Sequence, residues 1–141
     1  MAVAASILLS AIFISLSALH FYWAFGGTMA KEVTVPTRND NTKVMSPGFA
    51  PTFLVALGLA GFGVTTLATA EIVIVPWPHE VTAYSLRAIA VIFALRAIGD
   101  FNYVGFFKKI RHTKFGKNDS AYYSPLCLLI VLLVVVVELG R

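Results

Sequence analysis

The chain has 141 residues, 58% of them hydrophobic and only 13% charged, against about 25% charged in an ordinary soluble domain; this composition excludes a soluble globular fold and reads as a polytopic membrane protein in one domain, residues 1–141. The net charge is +4, but the cations cluster in loops beside apolar spans with no nucleic-acid motif, so the positive-inside rule accounts for them and nucleic acid is not an expected partner. One cysteine, Cys127, excludes an intramolecular disulfide, a CxxC redox pair and a multi-cysteine metal site; in its apolar run it reads as a packed thiol.

Residues 2–25 form the first expected span, close to the ~20 residues a helix needs to cross the hydrocarbon core. No Lys or Arg precedes it, and it ends in His20-Phe21-Tyr22-Trp23 rather than at a small-residue cleavage site, so it reads as a retained helix and not as a signal peptide. Ser6, Ser10, Ser17 and His20 form a narrow polar stripe on one face, which suits helix–helix packing. Gly26-Gly27 ends the helix. A long polar loop follows, turn-rich through Pro36, Asn39-Asp40-Asn41 and Pro47-Gly48, and is either a connector or a lid. The second span, 49–75, has small residues at four-residue spacing (Ala56 and Ala60; Gly61, Thr65 and Thr69), the pattern of a close helix seam. Pro76-Trp77-Pro78 ends it.

The third span, 82–107, carries Arg96 and Asp100 inside an apolar segment. Each intramembrane charge costs on the order of ~3 kcal/mol on insertion scales. Four residues apart, the two stack on one helix face, either as a mutually neutralising pair that holds the bundle or as the lining of a polar site. Arg96 precedes Lys108 by twelve residues, roughly 18 Å along a helix, which puts it near mid-bilayer with Asp100 as its nearest partner. Arg87 is expected to snorkel outward or meet Glu80. Lys108, Lys109, Arg111, Lys114 and Lys117 make a basic third loop, a topology determinant that also favours anionic headgroups. Asp119 and Ser124 are candidate N-caps before Pro125, and the fourth span, 124–139, is nearly featureless.

With four spans the first and third loops share a side. They carry Lys31, Arg38 and Lys43 together with the five third-loop cations, so that side is expected to be cytoplasmic and both termini outside. This topology brings the end of the first helix, the expected second half of the third and the start of the fourth to one depth. A polar pocket open to the cytoplasm is expected there, lined by His20, Tyr22, Trp23, Arg96, Asp100, Asn102, Tyr103 and Tyr123, because polar groups are not left unpaired in hydrocarbon. His79 and His112 lie in loops on opposite sides, which argues against a bis-histidine haem. No metalloprotease, EF-hand, P-loop, dinucleotide or nucleophile-elbow motif occurs, so no catalytic residue, metal site or cofactor is assigned.

The segments LHFYWAFGG, RAIGDFNYVGFFK and TKFGKNDSAYYSPLCLL resemble a bacterial family of small four-helix integral membrane proteins catalogued as a domain of unknown function. The resemblance spans the chain and is carried most specifically by Arg96, Gly99, Asp100, Gly105, Lys108, Asp119, Ser124 and Pro125. It implies an all-α, polytopic four-helix bundle in the bacterial inner membrane and no particular activity. Three functional readings follow. The first is binding of a small anionic ligand or lipid in the cytoplasmic-side pocket, with Arg96 meeting a headgroup or carboxylate. The second is an accessory or assembly subunit of a larger membrane complex, or a homo-oligomer. The third is a small membrane enzyme acting on a lipid or quinone-like substrate through His20 or Asp100.

Overall fold

A computed structural model describes residues 1–40 and 42–141; Asn41, in the turn expected over Asn39-Asp40-Asn41, lies outside them. The helices are α1 (Ala2–Ala24), α2 (Lys31–Thr34), α3 (Phe49–Thr69), α4 (His79–Ile98), α5 (Lys114–Asn118) and α6 (Ser124–Gly140), with one wide π turn, Asp119–Tyr123, joining α5 to α6. Four stretches are long and apolar enough to cross a membrane: α1, α3, α4 and the continuous run Lys114–Gly140. The fold is the expected all-α four-helix membrane bundle.

Helix α1 packs most extensively on α3 and α4 on α6, and α1–α6 and α3–α4 contacts close the ring. Leu9 and Phe13 of α1, Leu86 and Ile89 of α4, and Ile130 and Val137 of α6 fill its centre. The Phe13 ring meets Phe62 edge-on at 5.6 Å and Phe93 at 5.5 Å. In lipid, burial releases little water, so dispersion and small-residue seams hold helices together. The serine stripe serves that purpose: Ser6, Ser10 and Ser17 are buried, and Ser17 Oγ donates to the Ala56 carbonyl at 2.7 Å. A Cβ on Gly63 would come within 3.0 Å of Ile14.

Four expected boundaries move by three residues or more. The second span ends at Thr69, not residue 75. The third begins at His79 and ends at Ile98, nine residues short of 107. Gly99 there adopts φ +83 and ψ −166, a conformation essentially confined to glycine. Asp100 Oδ1 then accepts from the backbone N–H groups of Asn102, Tyr103 and Val104 at 3.0, 2.8 and 3.0 Å. That local side-chain bonding competes with helix continuation. The fourth helix starts ten residues early, at Lys114, capped by Thr113, whose Oγ1 accepts from Gly116 N–H at 3.0 Å; neither Asp119 nor Ser124 is an N-cap.

At the end of the bundle that holds both termini, Arg87 pairs with Glu138 at 3.1 Å and not with Glu80. Two helical turns, about 10 Å, separate Glu80 from Arg87, whereas antiparallel α6 brings Glu138 alongside.

Candidate functional site

The opposite end collects the long loops and most of the charge. Asp119 is its hub. Its Oδ1 accepts from Arg96 Nη2 at 2.9 Å, and its Oδ2 accepts from Lys108 Nζ at 3.0 Å, the Gly105 N–H at 2.8 Å and Ser124 Oγ at 3.1 Å. The π turn explains the last contact. In a regular α-helix residues i and i+5 point apart, whereas a π turn bonds i to i+5, and here Ser124 N–H bonds to the Asp119 carbonyl.

The expected Arg96–Asp100 pair is therefore not formed. With α4 ending at Ile98, Arg96 lies in its last turn, not at mid-bilayer, and its partner arrives from 23 residues down the chain. Asp100 serves its own loop. Lys108, expected among headgroups, is wholly buried with Asp119. All three of its N–H groups are used, on Asp119, the Gly105 carbonyl at 2.9 Å and Ser120 Oγ at 2.6 Å.

Two cations thus surround one carboxylate. Lys108 is saturated, but the Arg96 guanidinium has five donors, and its Nη1 is buried with no partner among the described residues. Arg96 lies in the wall of a cavity of about 360 Å³, which also has His20, Trp23, Thr34, Tyr123 and Cys127 on its lining. His20 Nδ1 lies 2.7 Å from the Leu16 carbonyl. A carbonyl only accepts, so Nδ1 donates this bond. The His20 ring meets Trp23 edge-on at 5.1 Å.

The first loop roofs this cavity. Tyr123 Oη donates to the Val33 carbonyl at 3.1 Å, and Trp23 Nε1 donates to the Met29 carbonyl at 2.9 Å. Beneath the loop a second chamber of about 440 Å³, with Lys31 and Met45 on its lining, shares His20, Trp23, Thr34 and Val55 with the first.

Of the eight expected site residues, His20, Trp23, Arg96 and Tyr123 share the cavity wall. Tyr22, Asp100, Asn102 and Tyr103 do not lie on it. Tyr22 packs against Gly27, and the other three belong to the loop after α4, where the Asn102 carbonyl accepts from Lys109 and Ile110 N–H. Sequence reasoning missed Lys108 and Asp119 as a buried pair and Thr34 and Cys127 as lining residues. Among the described residues no group of three His, Cys, Asp or Glu side chains is placed to hold a metal ion.

Burial pushes the Asp100 carboxyl up, but the three N–H bonds from Asn102, Val104 and Tyr103 outweigh it and hold the group below the usual carboxylate range. The stabilisation of this turn is therefore complete above the unfolded carboxyl's ordinary value, about 3.9, and is lost as pH falls through the lower folded value. Amide-exchange protection at residues 102–104 is expected to drop across that window, and Asp100→Asn is expected to remove the pH dependence.

The family described as Protein of unknown function (DUF3995) matches residues 13–134, and so covers most of the bundle, the Asp119 cluster and the cavity. No curated protein and no solved structure matches the chain.

Proposed function

We propose, for a chain that belongs to the DUF3995 family of proteins of unknown function, that it binds a small anionic group, a lipid headgroup or a carboxylate, at Arg96. One observation carries the reading: among the described residues Arg96 Nη1 is a buried donor without a partner, on a residue of the cavity wall. A buried polar group left unpaired costs roughly 1–3 kcal/mol, and more when it is charged. A bound anion removes that cost and balances the excess cation of the Arg96–Asp119–Lys108 cluster. Tyr123, Trp23 and His20 wall the site, and Asp119 positions the guanidinium.

Nine of the eleven Lys and Arg residues, all but Arg87 and Arg141, lie at this end. In our reading this end faces the cytoplasm of a bacterial cell, with both termini across the inner membrane.

Adding an anionic phospholipid to the detergent-solubilised protein is expected to raise its melting temperature, since a ligand that binds only the folded state stabilises it, and a zwitterionic lipid is expected to leave it unchanged. Arg96→Lys keeps a cation for Asp119 but loses the second guanidinium nitrogen. It is expected to fold and to lose the shift. An equal response to both lipids, or a full response in Arg96→Lys, would count against the reading.

A further inference from the structure

The Arg96 cavity shares part of its wall with a groove on the side of the bundle. Its lining residues Leu16 and Leu126 also line a groove of about 330 Å³ with Ala11, Ile12 and Ser15. This groove runs along the seam between α1 and α6. Ala11 and Ser15 are exposed on the outer surface of the bundle, the surface that meets lipid. The α1–α6 seam is less closely packed than the α1–α3 seam, which leaves room for it.

Depth and chemistry change together along this path. Ala11 precedes His20 by nine residues in α1, about 14 Å at the helical rise. The groove therefore leads from the loop end towards mid-helix, which is towards the bilayer centre. Its one hydroxyl, Ser15 Oγ, is tied back to the Ala11 carbonyl at 2.7 Å, so the groove offers apolar surface and no free donor. The unpaired guanidinium nitrogen belongs to the loop end. Charge at the interface and an apolar track running inwards match the orientation of a phospholipid in its own leaflet.

From this shared wall and the change from charge to apolar surface we infer that the ligand is a membrane-resident anionic lipid, which enters sideways between α1 and α6, sets its headgroup at Arg96 and lays an acyl chain along Ala11–Leu16. This rests on the reading of Arg96 given above and adds the ligand class and the route. A soluble anion arriving from the loop side would have no use for the groove.

The test compares two lipids with one headgroup, dioleoyl and dihexanoyl phosphatidylglycerol, by native mass spectrometry of the whole chain. Ala11→Phe/Ser15→Phe fills the groove from its exposed side. The wild type is expected to prefer the long chain by about tenfold or more, equivalent to about 1.4 kcal/mol, and the filled variant is expected to lose that preference while still binding the short-chain lipid. A preference unchanged in the filled variant overturns the groove and leaves the Arg96 reading standing. Binding of both lipids unchanged in Arg96→Lys overturns both readings. Inorganic phosphate binding as tightly as the long-chain lipid would identify a soluble anion and overturn the lateral route alone.

Discussion

Asp119→Asn is expected to cost about 3–5 kcal/mol of folding stability, the range seen when one partner of a buried ion pair is removed. Asparagine keeps the shape of the side chain and loses the charge. Lys108 would then hold an ammonium in a wholly buried position with only neutral acceptors, and Arg96 would lose its ion pair with Asp119. The asparagine carboxamide also turns two acceptor oxygens into one acceptor and one donor group, and that donor must face Arg96, or else Lys108, Gly105 and Ser124. Denaturant unfolding in detergent measures the effect. Asp119→Asn/Lys108→Met, which removes both buried charges of that pair, is expected to recover a good part of the loss. A cost below about 1 kcal/mol for the single variant, the worth of an exposed ion pair, would mean that the cluster is not buried as described.

Gly99→Ala is expected to be the most damaging change of a small residue. The glycine-only conformation alone costs an alanine of order 1–3 kcal/mol, and the added Cβ would lie 1.8 Å from the Val104 carbonyl oxygen. The obstacle is backbone, so the 99–105 turn must move. Gly105 would move with it and lose its bond to Asp119. Gly99→Ala should therefore weaken both stability and anion binding. The control is Gly58→Ala in the middle of α3, where an added Cβ meets nothing within 4 Å and where alanine is favoured over glycine by up to about 1 kcal/mol. Equal behaviour of the two variants would show that the turn after α4 is not formed.

The four-helix architecture was legible because apolar length and small-residue spacing are local properties. The serine stripe of α1 and the Ala56 seam were readable for the same reason. The site was only half legible. Hydropathy carried the third span through to Phe107, because Phe101, Tyr103, Val104, Phe106 and Phe107 are as apolar as a helix. The residues that end it are two glycines with positive φ, Gly99 and Gly105, and one side-chain cap, Asp100. Gly99-Asp100 was the available signal, since glycine followed by aspartate commonly closes a helix into a turn. Once the helix is drawn too long, Arg96 finds Asp100 one turn away and needs no distant partner. Asp119 stays hidden because its role depends on the π turn and on the path of the 99–113 loop, and neither has a periodicity to read. His20, Trp23 and Tyr123 line the cavity because topology alone brings the end of α1 and the start of α6 to one depth.

Native mass spectrometry of the protein gently extracted from its membrane tests the central claim most directly. The wild type is expected to retain an anionic lipid, and an equally stable Arg96→Lys variant is expected to release it. Retention of the same lipid by both proteins, or an empty wild type that carries a protein partner instead, would contradict the assignment of Arg96 as the anion site.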